Sequence, residues 1–145
     1  MAVSKQRIGV TVVLLVTVAA ILFSAVQYRG KTIRAKILET DRSELLRSCR
    51  ELIAERHSIG GRTGVLSGSP DAVVLSGQAI VTNERIPSLL RGLTPQSIAV
   101  YDNKVVVLVS SIPCNAVIAY SGSTKEWGTM KLTNGLWYYN GSVPK

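Results

Sequence analysis

Apolar and polar positions divide this chain into an opening stretch of one kind and a longer remainder of another. Residues 8–28 carry no charge and are almost all Val, Leu, Ile, Ala, Thr or Phe. At a rise of about 1.5 Å per residue, such a run makes a helix of about 30 Å, the thickness of a bilayer's hydrocarbon core. Lys5 and Arg7 bound it on one side, and Tyr28, Arg29 and Lys31 on the other, as interfacial aromatics and basic anchors do. A chain of 145 residues could hardly hide a helix that is apolar all round inside a soluble domain. A cleaved secretory signal has a shorter apolar stretch, about 7–15 residues, ending at a small-x-small site. Here the best site, Ser24-Ala25-Val26, puts bulky Val26 before the cut; sites ending at Ser24 or Ala25 place Leu22 or Phe23 where a small residue is needed. The pattern predicts a short basic tail, residues 1–7, and a retained transmembrane anchor, residues 8–28.

After the anchor the period changes. Between Gly30 and Gly60 there is neither Gly nor Pro, and residues 32–57 read as a second helix. Leu45, Leu46, Cys49, Leu52 and Ile53 recur at three- and four-residue spacings opposite a charged face that holds the Arg47–Glu51 pair. Ile33 and Ile37 extend the stripe. The helix either continues the span or starts afresh at an Asp41 or Ser43 cap. Residues 29–57 are therefore a juxtamembrane basic segment and an amphipathic helix. Residues 58–71, with five Gly or Pro and three Ser, are a connector.

The remainder, residues 72–145, is β-rich. Residues 72–75 and 78–82 are short apolar runs, and residues 86–92 suit a short helix with Pro87 at its start and Gly92 past its end. Residues 97–101 and 104–110 flank Asp102-Asn103, a tight-hairpin signal. The continuously apolar Val105 to Val109 predicts a central strand covered on both faces. Residues 115–120 form a further strand, and 129–133 and 136–140 surround the hairpin signal Asn134-Gly135. Alternation puts Leu136 and Tyr138 on one face, Trp137 and Tyr139 on the other. The expected fold class is α+β: a transmembrane helix, an amphipathic helix, then an antiparallel sheet of four to six strands with one short helix. The amphipathic helix, residues 44–56, lies across one sheet face, because each needs the other to bury an apolar surface.

Charge adds a location. The net charge is +8, of which residues 1–57 supply +5 (ten Lys or Arg against five Asp or Glu). Arg29, Lys31, Arg34 and Lys36 follow the span with no acidic residue among them, a membrane-surface contact for anionic lipid. Basic residues after the span favour a cytoplasmic C-terminal side. The basic opening, typical of a signal-anchor, and the length of the downstream domain favour the opposite, and we place the domain extracytoplasmically. Nucleic acid is excluded as a partner, because the distal part is only mildly basic and lacks interleaved basic and aromatic residues.

No motif specifies a chemistry. Cys49 and Cys114 lack metal-ligand spacing and read as thiols, Cys49 on the apolar helix face. His57, the single histidine, would have to serve any triad with Cys114; an exposed site at a helix C-terminus suits it better. Asp71, Glu84, Asp102 and Glu126 are scattered. Gly60 to Gly64 lacks the Gly-Lys-Ser/Thr ending of a phosphate loop, and Asn140-Gly141-Ser142 is a chance glycosylation match at a turn. Neither cofactor, metal nor small-molecule ligand is indicated. Trp127, Trp137 and Tyr139 are the candidate interaction surface, since aromatics are enriched in binding hot spots. The long N-terminal helix and small antiparallel sheet resemble the type IV pilins and pseudopilins in architecture. Their processing motif, a Gly, an aromatic residue and a Glu four positions on, is absent: Val10 follows Gly9 and the first acid is Glu39. The expected function is a non-catalytic interaction or structural module whose partners are the bilayer and other membrane or envelope proteins. A pilin-like subunit and an enzyme of unrecognised type are the alternatives.

Overall fold

The computed structural model describes residues 3–60, 62–63, 72–122 and 130–141. Helix α1, Val3–Glu39, runs unbroken through the apolar run and ten residues beyond Arg29. It stops at Asp41, whose backbone leaves the helical region and whose carboxylate accepts a hydrogen bond from the Glu44 amide at 2.8 Å. This is the fresh cap, so helix α2, Arg42–Ala54, is a separate element and not a continuation of the span. Its buried face is Leu45, Ser48, Cys49 and Leu52, with Leu46 and Ile53 partly buried beside them. On the outer face Arg47 reaches Glu51 at 3.0 Å and Glu44 at 3.4 Å, exposed pairs worth tenths of a kcal/mol.

Seven strands form one sheet: β1 (Arg62–Thr63), β2 (Val73–Ser76), β3 (Ser97–Val100), β4 (Lys104–Ser111), β5 (Cys114–Tyr120), β6 (Met130–Thr133) and β7 (Leu136–Asn140). The order is β1-β2-β3-β4-β5-β7-β6 and every neighbouring pair is antiparallel. Six strands have four residues or more; β1 is a two-residue edge inside the connector. The α+β class holds, with α2 laid over one face. Val73, Leu75, Ile98, Val100, Val105, Val107, Val117, Leu136 and Tyr138 meet Leu45, Cys49 and Leu52 there in one core. Ile37 from α1 and Ile59 from the connector join it.

Three expectations need correction. Residues 78–82 are not a strand but helix α3, Gln78–Thr82, so two short helices are present, the other being α4, Ser88–Gly92. Gly77, at φ +55°, turns the chain out of the sheet after β2, and a single side chain of α3, Ile80, is buried. A positive φ of that kind is open to glycine at little cost. The third correction concerns β4, which is central but, among the described residues, covered by helices on one face only. Val105, Val107 and Val109 are buried, while Val106 and Leu108 are half-buried, because the helices stack on a single side.

Turn chemistry follows the residues. Tyr101 N donates to Lys104 O at 2.8 Å across Asp102-Asn103, and Gly135 takes φ +82° between β6 and β7. A β-carbon at Gly135 would lie 3.2 Å from both Gly122 O and the Arg50 guanidinium, so space as well as φ selects glycine. The one buried side-chain amide among the described residues, Asn115, donates to Pro113 O at 2.9 Å and accepts from the Tyr138 hydroxyl. Tyr138→Phe leaves that amide oxygen without its donor. The expected cost is about 1–3 kcal/mol of unfolding free energy, read as a lower urea midpoint with an unchanged slope.

Candidate functional site

The first part of α1 stands clear of the core: none of its described side chains before Gly30 is buried. Val10 to Ala25 are all exposed, with Leu14 at 62%, Leu22 at 61% and Phe23 at 67%. Its polar side chains turn inward on their own helix: Thr17 donates to Val13 O and Ser24 to Ala20 O, each at 2.9 Å. That leaves no unmet hydroxyl donor at either position. This helix is long and apolar enough to cross a membrane.

At Gly30 the surroundings change. Gly30 is buried against the β4–β5 hairpin, and a β-carbon there would lie 2.6 Å from Pro113 Cγ. Gly30, Ile33 and Ile37 make a stripe at three- and four-residue spacing that docks on the domain. Arg29, Lys31, Arg34 and Lys36 fall outside it and are all exposed. The four basic residues therefore sit around a helix that is held on the domain rather than on a free linker. Gly30 escapes sequence reading because Pro113 lies far along the chain. The only signal is a glycine tolerated inside a helix, where it costs about 1 kcal/mol against alanine and invites a packing reason.

The second candidate surface is the sheet face away from α2. One cross-strand row runs Val74, Ala99, Val106, Ile118, Trp137 and Lys131; the next runs Ser97, Leu108, Ala116 and Tyr139. Val74, Val106, Leu108, Ile118, Trp137 and Tyr139 are half-buried, and no described helix lies across them. Lys131 Nζ stands 5.9 Å from the Trp137 ring centroid, and Lys104 Nζ 4.8 Å from that of Tyr101. The face is thus an apolar, aromatic band with ammonium groups on its aromatics. Trp137 and Tyr139 share it, as alternation predicted. Trp127 lies outside the described residues, as do Asp71, Glu126, Gly61, Gly64 and Ser142.

The Cys114–His57 pair weighed from sequence does not assemble. His57 is exposed and lies 3.3 Å, through Nε2, from the guanidinium of Arg56, which pairs with Asp102 in the β3–β4 turn. Cys114 begins β5 at the opposite end of β4, a strand about 25 Å long at about 3.3 Å per residue. A nucleophile and its base need about 3 Å. Among the described residues no three His, Cys, Asp or Glu gather to hold a metal. Both cysteines are free; burial pushes the thiol of Cys49, deep in the core, up to about 12 and raises that of half-buried Cys114. Burial likewise raises the Tyr138 hydroxyl, the Arg34 charge acting in the other direction. A grooved surface between α3 and α4, lined by Ile80, Val81, Ser88, Arg91, Thr94 and Pro95, is open and holds no converging acid or base.

No known protein family, curated protein or solved structure matches this chain.

Proposed function

We propose that the chain is a single-pass membrane protein, in which residues 8–28 cross the bilayer and a small α+β domain is held close to the membrane surface. The domain is a non-catalytic interaction module for other membrane or envelope proteins, and the face bearing Trp137 and Tyr139 is the surface it offers them. The single observation that supports this most is the contrast within α1. Val10 to Ala25 are exposed and none of them belongs to the core, while Gly30, Ile33 and Ile37 of the same helix are docked. That exposed stretch holds thirteen apolar side chains; removing them from water is favourable, and lipid offers the burial that this domain does not. The domain side is extracytoplasmic, supported by the basic opening Lys5 and Arg7 ahead of a long C-terminal region.

Full-length protein is expected to stay with sedimented membranes after an alkaline carbonate wash, and recovery in the supernatant overturns the anchor. Protease added to intact cells is expected to degrade the domain. Digestion confined to inverted vesicles would reverse the assigned side without touching the span.

A further inference from the structure

We propose that the tip of the β4–β5 hairpin is a second contact with the bilayer, with Ile112 seated in the interfacial layer beside the point where α1 emerges. The proposal rests on the membrane-spanning reading above and adds a named lipid-binding element to it. Exposure alone would not carry it, since single exposed aliphatic residues are ordinary. Ile112 is 70% exposed, and among the described residues outside α1 only Val81 is a comparably exposed large apolar side chain.

Position is what distinguishes Ile112. Its neighbour Pro113 packs on Gly30, where even a β-carbon would intrude. Gly30 is two residues past Tyr28, the last residue of the uncharged run, so the contact lies about 3 Å along the helix from the end of the span. The hairpin tip is therefore at the depth where a bilayer's hydrocarbon gives way to head groups. Orientation agrees. From Gly30 to Ile37 the helix passes from the hairpin tip into the core, so β4 points its C-terminal end back toward the span. The turns at Asp102-Asn103 and Asn134-Gly135 lie at the other end of the sheet.

Charge agrees as well. Arg29, Lys31, Arg34 and Lys36 surround the emergence point, all exposed, and no acidic residue occurs between Asp102 and Glu126, the stretch that contains the tip. An apolar tip without negative charge, beside a helix that carries four exposed basic side chains, is complementary to anionic head groups over hydrocarbon. Because α1 is one unbroken helix through this region, the tip cannot be carried away from the surface by a flexible linker. Span and tip together would fix the tilt of the domain and so the direction in which the Trp137 face looks.

The test uses full-length protein in vesicles of phosphatidylcholine with about 30% anionic phosphatidylglycerol. A photoreactive benzophenone amino acid replaces Leu15, Ile112 or Asn103 in separate preparations, and lipid adducts are measured by mass spectrometry after irradiation. Ile112 is exposed enough to accept the larger ring. Lipid adducts are expected from Leu15 and from Ile112, with the Ile112 yield about tenfold or more above that of Asn103 at the far end of the sheet. Labelling from Leu15 with Ile112 at the Asn103 background overturns the hairpin contact and leaves the span standing. Absence of labelling from Leu15 overturns the span itself and the hairpin contact with it. Cross-links from Ile112 to protein in place of lipid likewise overturn the proposal.

Discussion

Leu15→Arg combined with Val18→Arg is expected to move the full-length protein from the membrane to the aqueous fraction while its domain stays folded. Residues 8–28 contain twelve Leu, Ile, Val or Phe. At about 0.3–0.6 kcal/mol each on the insertion scale they favour the bilayer by roughly 4–7 kcal/mol. Two arginines near the middle of a span cost roughly 5–7 kcal/mol on the same scale, enough to reverse the balance. The domain is insulated from the change, because Leu15 and Val18 are exposed and neither belongs to the core. Flotation on a density gradient separates the outcomes: wild type rises with lipid, and the double variant remains at the bottom. Thermal unfolding of the domain should match wild type. A double variant that still floats would mean that something other than the apolar run of α1 holds the protein to lipid.

Features carried by neighbours in sequence were legible, and features carried by distant contacts were not. The apolar run, the Leu45–Leu52 stripe and the Asn134-Gly135 turn each state their own conformation within one window. The Trp137–Tyr138–Tyr139 alternation is confirmed residue by residue in β7, with Tyr138 in the core and its two neighbours on the opposite face. Asp41 was one of two caps the sequence allowed, and its carboxylate on the Glu44 amide decides between them. Residues 78–82 misled because five apolar-leaning residues carry too little period to choose helix or strand. The deciding element is Gly77, outside the run. Val105 to Val109 misled differently: a continuous apolar run signals burial on both sides, yet here its second side lies on the face we propose for interaction. Of the candidate site, the exposed basic residues and the Trp137 face could be read directly. The Gly30–Pro113 contact and the Arg56–Asp102 pair could not, since each joins segments that only the fold brings together.

Alkaline pH is expected to unfold the domain, and Cys49 is expected to be a principal reason. The thiol is fully enclosed between α2 and the sheet, where a thiolate would have neither water nor a cation beside it, and its pKa is pushed from 9.0 to about 12. A group whose folded pKa lies above its unfolded value contributes stability that is complete below the unfolded pKa. That contribution drains away as pH rises through the folded one. For Cys49 the window is pH 9 to about 12. A window that wide is worth several kcal/mol at about 1.4 kcal/mol per pH step, a large part of the 5–15 kcal/mol typical of a domain. Tyr120, Tyr138 and Cys114 are shifted upward too, so alkaline loss by itself would not single out Cys49. The comparison that does is Cys49→Ala: at pH 8 it is slightly less stable because a small void replaces the sulfur, yet from pH 9 to 11 it loses distinctly less stability than wild type. Urea midpoints at both pH values for both proteins test this, and parallel losses would clear the thiol of responsibility. The same chemistry sharpens the membrane experiment: at carbonate pH the domain is strongly destabilised whereas residues 8–27 contain no titratable side chain, so retention in the pellet reports on the span and not on the fold it carries.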